Sequence, residues 1–283
     1  MSDFSKLIKL RLTFLVVFSA SISFLIGSKV NGHIDWANWG KLVIGGFLVT
    51  AAANCFNEII EKDLDRLMKR TCDRPIPAGR MTTGQALVMG LFMAIFGTYL
   101  LGQLNLTAGY LSVFSILLYA FAYTPLKRKS PIAVFVGAIP GALPPLIGYV
   151  AAHEKIDAIA LILFGIQFIW QFPHFWAIAW VLDDDYKLAG FRLLPSGKRD
   201  LTSAVITFIF TLILVPVSLL PSFYGYGGYY VGIVSLLCSL VFLYLAFILL
   251  RTRQIESAKK LMYGSFFYLP VVQLMFLFDF IGK

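Results

Sequence analysis

The sequence predicts an all-α, polytopic membrane protein, N-in and C-out, and three observations carry that reading. The 283 residues are 59% hydrophobic and only 14% charged, against roughly 25% charged in soluble proteins. Apolar tracts near the roughly 20-residue length needed to cross a bilayer recur from end to end. The bases, finally, sit almost entirely on alternate loops, as the positive-inside rule requires.

Nine spans fit the apolar tracts, at about 12–28, 40–60, 85–104, 107–124, 132–150, 156–180, 201–220, 228–250 and 263–280. The first tract, from Leu12, lacks a small-residue cleavage site and reads as a retained span rather than a signal peptide. With the N-terminus inside, the inner segments are 1–11, 61–84, 125–131, 181–200 and 251–262. They hold all 24 lysines and arginines except Lys29, Lys41, Lys155 and Lys283. This asymmetry explains the formal charge of +9 without nucleic acid. Inner loops 61–84 and 181–200 are long and rich in reactive side chains, whereas outer loops such as Gly102–Leu106 and Pro221–Gly228 are short and nearly uncharged. Function is therefore expected on the cytoplasmic face of a single transmembrane domain, 1–283. The last inner stretch, RTRQIESAKK, reads as an interfacial helix that signals orientation.

Cys55, Cys72 and Cys238 have no paired or metal-type spacing, so neither a disulfide framework nor a cysteine metal site is expected. His33, His153 and His174 are too scattered for a local metal motif. The fifth span carries Gly137, Pro140, Gly141, Pro144, Pro145 and Gly148. Glycine lets backbones approach, and proline frees carbonyls that are tolerated in a membrane only when buried in protein or facing a cavity. The group predicts a helix bent around a central chamber.

The chain is organised around NCFNEIIEKDLDRLMKRTCDRPIPAGR, residues 54–80. Asn57, Glu61 and Asp65 are spaced four apart, and each such step turns a helical side chain by only about 40°. All three face one space, and Asn54 extends the lining a turn earlier. A capped, solvated helix end would explain Lys62 and Asp63 but not Asn57 and Glu61 aligned toward the apolar part of the helix. Ionisable groups at membrane depth are expensive and face a cavity or a partner. Carboxylate and carboxamide oxygens suit a hard cation such as Mg2+, which shares its ligands with substrate phosphates.

Bases follow at once: Lys69, Arg70, Arg74 and Arg80. Arginine binds phosphate bidentately, and Arg74 precedes the stiff Pro75–Pro77 segment. Lys127, Arg128 and Lys129, just after Tyr123, form a second basic group, with surface anchoring as the competing account. Asp183, Asp184 and Asp185 close the sixth span as a second acidic group. Upstream, Gln171, His174 and Trp176 lie inside the span, where a polar ring serves to hold a substrate or take up a proton.

Two acidic walls, bases between them and a lipid-embedded chamber point to one chemistry. A polyprenyl diphosphate lays its tail in the membrane and its diphosphate at the mouth. Cations offset charge on the departing diphosphate, and a dry chamber protects the allylic cation until an electron-rich acceptor takes it. A membrane transporter with broken helices is the alternative from another class; it calls for an inverted repeat, and none is evident.

These residues resemble the UbiA superfamily of intramembrane prenyltransferases. Its NxxxDxxxD motif falls on Asn57, Glu61 and Asp65, with Glu in place of the middle Asp. The blocks DxDxxMxRTxxRPxPxG at Asp63–Gly79, YTPLKRKSPIAVFVGAIPGALPP at Tyr123–Pro145, and PHFWAIAW with DDYKLAGFRLLP at Pro173–Pro195 are similar to its haem-farnesylating branch. The resemblance implies a ring of nine helices around a central cavity in the bacterial inner membrane. It implies Mg2+ and diphosphate held by Asn57, Glu61, Asp65, Asp184 and Asp185, with Arg70, Arg74, Tyr123, Lys127 and Arg128 beside them and His174 toward the acceptor. The implied reaction moves a farnesyl group from farnesyl diphosphate to a vinyl group of haem b, giving haem O. Haem A synthase or terminal oxidase assembly would be the partners. An aromatic quinone precursor such as 4-hydroxybenzoate is the rival acceptor.

Overall fold

A computed structural model describes residues 2–282; Lys283, counted with the outer bases, lies outside them. The regular structure of the described residues is all helical, apart from an isolated bridge between Gly227 and Phe280. Nine helices are long and apolar enough to span a membrane: Leu10–Val30, Trp36–Asp65, Thr83–Gly102, Leu106–Leu126, Ala133–His153, Ala158–Val181, Leu201–Phe223, Tyr229–Thr252 and Ile255–Phe278. Short helices Asp3–Leu7 and Asp183–Leu188 lie outside them.

Polar loop residues set where the spans begin. Asp35, Asn105, Asp157 and Asp200 each accept the backbone N–H three residues on, and Thr82 forms a capping box with Gln85. Each satisfies a donor that a helix start leaves open.

Consecutive spans pack on one another and the ninth touches the first, so the series closes on itself; contacts of the first span with the fifth and the sixth with the ninth cross its interior. The fifth span is the most buried. A Cβ on Gly148 would collide with the Ala20 carbonyl oxygen, so glycine is what lets the first span approach. Pro145 has no N–H for the Gly141 carbonyl, and the side chain of Gln167 supplies the missing donor at 2.7 Å. The fourth span widens into a π-helical stretch at Leu118–Tyr123 just before Pro125. There the Thr124 hydroxyl donates to the Tyr119 carbonyl at 2.9 Å.

Three sequence expectations need correction. RTRQIESAKK is not an interfacial helix: the chain turns at Arg253, and Ile255 already opens the ninth span, eight residues before the expected start. Arg253 has φ 55°, a left-handed helix end that leaves room for no separate element. The second span runs on to Asp65, five residues past its expected end, because the polar face that looked like loop is buried against neighbouring elements. The run Asp183–Asp185 does not extend the sixth span; it opens a separate short helix after a break at Leu182.

Candidate active site

A cavity of about 440 Å³ lies among the spans. Its inner wall is apolar and aromatic, and its mouth lies at the end carrying the 66–82 and 127–131 loops. Asn57, Glu61 and Asp65 line it from the last turns of the second span and are almost fully buried, at 1%, 4% and 0% exposure.

Each of the three is met by a base. Lys9 Nζ donates to Asn57 Oδ1 at 2.6 Å. Asn57 Nδ2 donates to Glu61 Oε2 at 2.9 Å and to Thr124 Oγ1 at 3.0 Å, which fixes the amide orientation. Lys127 Nζ lies 2.5 Å from Glu61 Oε1, in an ion pair whose angle falls outside hydrogen-bond geometry. The same ammonium stands 4.9 Å from the Tyr123 ring centre and 5.3 Å from that of Phe191, a cation–π pair on each side. Arg74 Nη1 pairs with Asp65 Oδ2 at 2.6 Å. Arg70 sits at the rim with no ion pair among the described residues. Burial first, then the Arg74 and Lys127 charges, pulls Lys9 well below the usual lysine range.

The second acidic run divides. Asp185 Oδ1 accepts the Lys69 backbone N–H at 2.8 Å, which ties it to the loop that follows Asp65. Asp184 points outward to Arg199 at 2.9 Å, its side chain 76% exposed. Asp183 pairs with Lys187 at 2.6 Å. Neither Asp184 nor Asp185 forms the cavity wall, and Arg128 lies with Lys129 on a neighbouring cleft behind Glu61.

Among the described residues no three acids, histidines or cysteines converge as a bare metal cage. Asp65 Oδ1 and Asp185 Oδ2 are nevertheless buried without a hydrogen-bond partner. Unpaired carboxylate oxygens are costly inside a protein, and a hard divalent cation satisfies both the charge and the lone pairs. The donor set therefore fits Mg2+.

Deeper in the cavity lies a polar group that the sequence reading found only in part. Ser19 donates to Gln167 Oε1 at 2.7 Å, and Gln273 Nε2 donates to Ser19 at 2.7 Å and to Gln167 Oε1 at 3.0 Å. Gln171 Nε2 donates to the Ala138 carbonyl at 2.9 Å. His174 stacks on Trp170 with ring centres 4.4 Å apart. Its Nδ1 is 2.7 Å from Ser265 Oγ, which itself donates to the Met262 carbonyl. Ser265 must accept, so Nδ1 carries the hydrogen and Nε2 keeps its lone pair. Lys9, Gln167 and Gln273 were missed by sequence reading. Lone glutamines inside apolar spans were the available signal for two of them; Lys9 had none, since it counted as an inner-face base.

A closed set of membrane helices around an apolar cavity, with carboxylates and bases packed at one mouth, defines an intramembrane enzyme for a charged-headed lipid. The profile of the UbiA prenyltransferase family matches residues 16–271, and the chain belongs to that family. It is 45% identical to the protoheme IX farnesyltransferase of Cytophaga hutchinsonii over 276 residues, covering 97% of this chain and 96% of that one. In structure it is similar to a chain solved for work on digeranylgeranylglyceryl phosphate synthase in membranes, with TM-score 0.82, 23% identity and coverage of 98% and 97%. It is also similar to a UbiA homologue from Archaeoglobus fulgidus bound to GPP and Mg2+, with TM-score 0.62, 12% identity and coverage of 97% and 99%.

Proposed function

We propose that the protein transfers a farnesyl group from farnesyl diphosphate to a vinyl group of haem b, giving haem O and diphosphate. The observation that carries the reading is the near full-length similarity to a protoheme IX farnesyltransferase. The convergence of Lys9, Arg70, Arg74 and Lys127 on the mouth of an apolar cavity supports it.

In this reading the farnesyl tail lies along the apolar wall and its diphosphate meets the bases. Asn57, Glu61 and Asp65 would hold Mg2+ from the cavity wall, with the free Asp185 oxygen behind the Lys69 loop as the further donor, and the ion would withdraw charge from the leaving group when bound. Asp184, outside the cavity wall, orients Arg199. The C1–O bond breaks with its electron pair on the diphosphate, and Arg70, Arg74 and Lys127 stabilise that charge. Tyr119 and Tyr123, tilted against each other with ring centres 5.3 Å apart, shield the allylic cation from water. The cation bonds to the terminal vinyl carbon. Water adds to the neighbouring carbon and loses a proton, leaving a hydroxyethylfarnesyl group. His174, with its Nε2 lone pair free, lies on the acceptor side. The whole chain acts as one domain in the bacterial inner membrane, its mouth on the cytoplasmic face.

The test is an acceptor competition. Purified protein receives farnesyl diphosphate and Mg2+ with haem b or with 4-hydroxybenzoate, and products are identified by mass. Haem O from the first mixture alone is expected; product from the aromatic acceptor alone would reject haem as the substrate.

A further inference from the structure

The N-terminal segment is shaped to carry one ammonium into the site. Its short helix is pinned over the 66–82 loop by Lys6–Asp73 at 2.5 Å and Asp3–Arg80 at 2.9 Å. Leu7 and Ile8 are fully buried. The chain then turns at Lys9 with φ 48°, in the left-handed region where a Cβ crowds the following carbonyl oxygen. Glycine would make this turn without that crowding. The Ile8 carbonyl is gripped on both sides, by Thr13 Oγ1 at 2.7 Å and Asn54 Nδ2 at 3.2 Å. A lysine that served only as a topology signal would need none of this.

The second observation is one of charge. Arg74 and Lys127 each have a carboxylate partner, whereas Lys9 has only the Asn57 carboxamide. Four bases and two carboxylates therefore line the cavity mouth, and Lys9 and Arg70 are the two without an anion. Lys9 takes one of the two lone pairs of Asn57 Oδ1, and its ammonium, 2.6 Å from that oxygen, repels any metal cation approaching the other.

We propose that Lys9 is a catalytic residue that binds the leaving group and exchanges partners during the cycle. In the empty site its ammonium occupies Asn57 Oδ1. With a prenyl diphosphate present it moves to a diphosphate oxygen, which frees the carboxamide oxygen for the metal and places a fourth positive charge where the electron pair of the C–O bond arrives. The proposal rests on reading the site as a metal–diphosphate cradle.

Titration calorimetry on the full-length protein in detergent tests it, with farnesyl thiodiphosphate plus Mg2+, Mg2+ alone, and farnesol as probes. In Lys9→Met the thiodiphosphate should bind about tenfold more weakly or worse, the range of a hydrogen bond to a charged group. Mg2+ alone should bind at least as tightly, because a neighbouring cation has gone, and farnesol should be unaffected. Lys9→Arg should restore the thiodiphosphate to within about threefold. Should Lys9→Met fail to fold, Lys9→Gln keeps a donor for Asn57 and carries the same expectations. Unchanged thiodiphosphate binding in the variant overturns the proposal alone. A parallel loss of all three ligands, unrelieved by arginine, reduces Lys9 to a structural strap. If wild-type protein binds no thiodiphosphate with Mg2+, the cradle itself is rejected.

Discussion

Asp65 and Arg74 show how much one buried pair decides. Asp65 is fully buried, with one oxygen on Arg74 and the other unpartnered. Asp65→Asn keeps the volume but removes the charge, and it should lower kcat/KM by on the order of 10²-fold, as loss of a transition-state electrostatic contact does. Asp185→Asn should act in the same direction, and Asp184→Asn should change kcat/KM less than about fivefold, because that side chain is already with Arg199 in solvent. Steady-state rates for the three variants, each shown to fold, check this; equal losses at Asp184 and Asp185 would contradict it. Arg74→Ala differs in kind, since it strands a buried carboxylate. Loss of one partner of such a pair costs about 3–5 kcal/mol, so both the melting temperature and activity should fall. At this scale the sequence was most informative where spacing and chemistry agreed, as for Asn57, Glu61 and Asp65. It was least informative for Lys9, whose role depends on a backbone turn that no pattern encodes.

Among the elements, the fifth span gives the clearest case of sequence anticipating structure. Its prolines and glycines marked a helix facing a chamber, and Gly137, Pro140, Gly141 and Pro144 do line the cavity. What they could not reveal was the partner: the Gly141 carbonyl that Pro145 leaves open is taken by Gln167, 26 residues away. Gly148→Val should drive the first span off the fifth and lower the melting temperature in detergent by several degrees, with activity lost as the cavity distorts. No change in either would show that the two backbones do not meet there. The N-terminal helix yields a pH prediction. Hydrogen bonds from Lys6 and then Arg80 hold the exposed Asp73 carboxyl below its ordinary value of 3.8. A depressed carboxyl stabilises the latch fully above the ordinary value and stops doing so as pH falls through the lower folded one. Hydrogen-exchange protection of residues 3–9, corrected for intrinsic rates, should therefore persist at neutral pH and fade in acid. Protection that is flat with pH would remove the latch from the account.

For the whole molecule, composition and charge already announced a nine-span membrane protein. The span ends were legible only to within several residues, because helices such as the second and the ninth run on through charged turns that read as loop in the sequence. The exposed Cys72 on the basic loop offers a direct reading of orientation, since Cys55 is buried and Cys238 half-buried. An impermeant maleimide should label Cys72 in inside-out vesicles and spare it in right-side-out ones; the reverse pattern would place the site on the opposite face. The most direct measurement concerns the mouth itself: haem O formed by purified protein from farnesyl diphosphate and haem b, before and after chelation with EDTA and re-addition of Mg2+. The account predicts turnover that stops with EDTA and returns with Mg2+ in the wild type but not in Asp65→Asn. Undiminished turnover in EDTA, or in that variant, would contradict it.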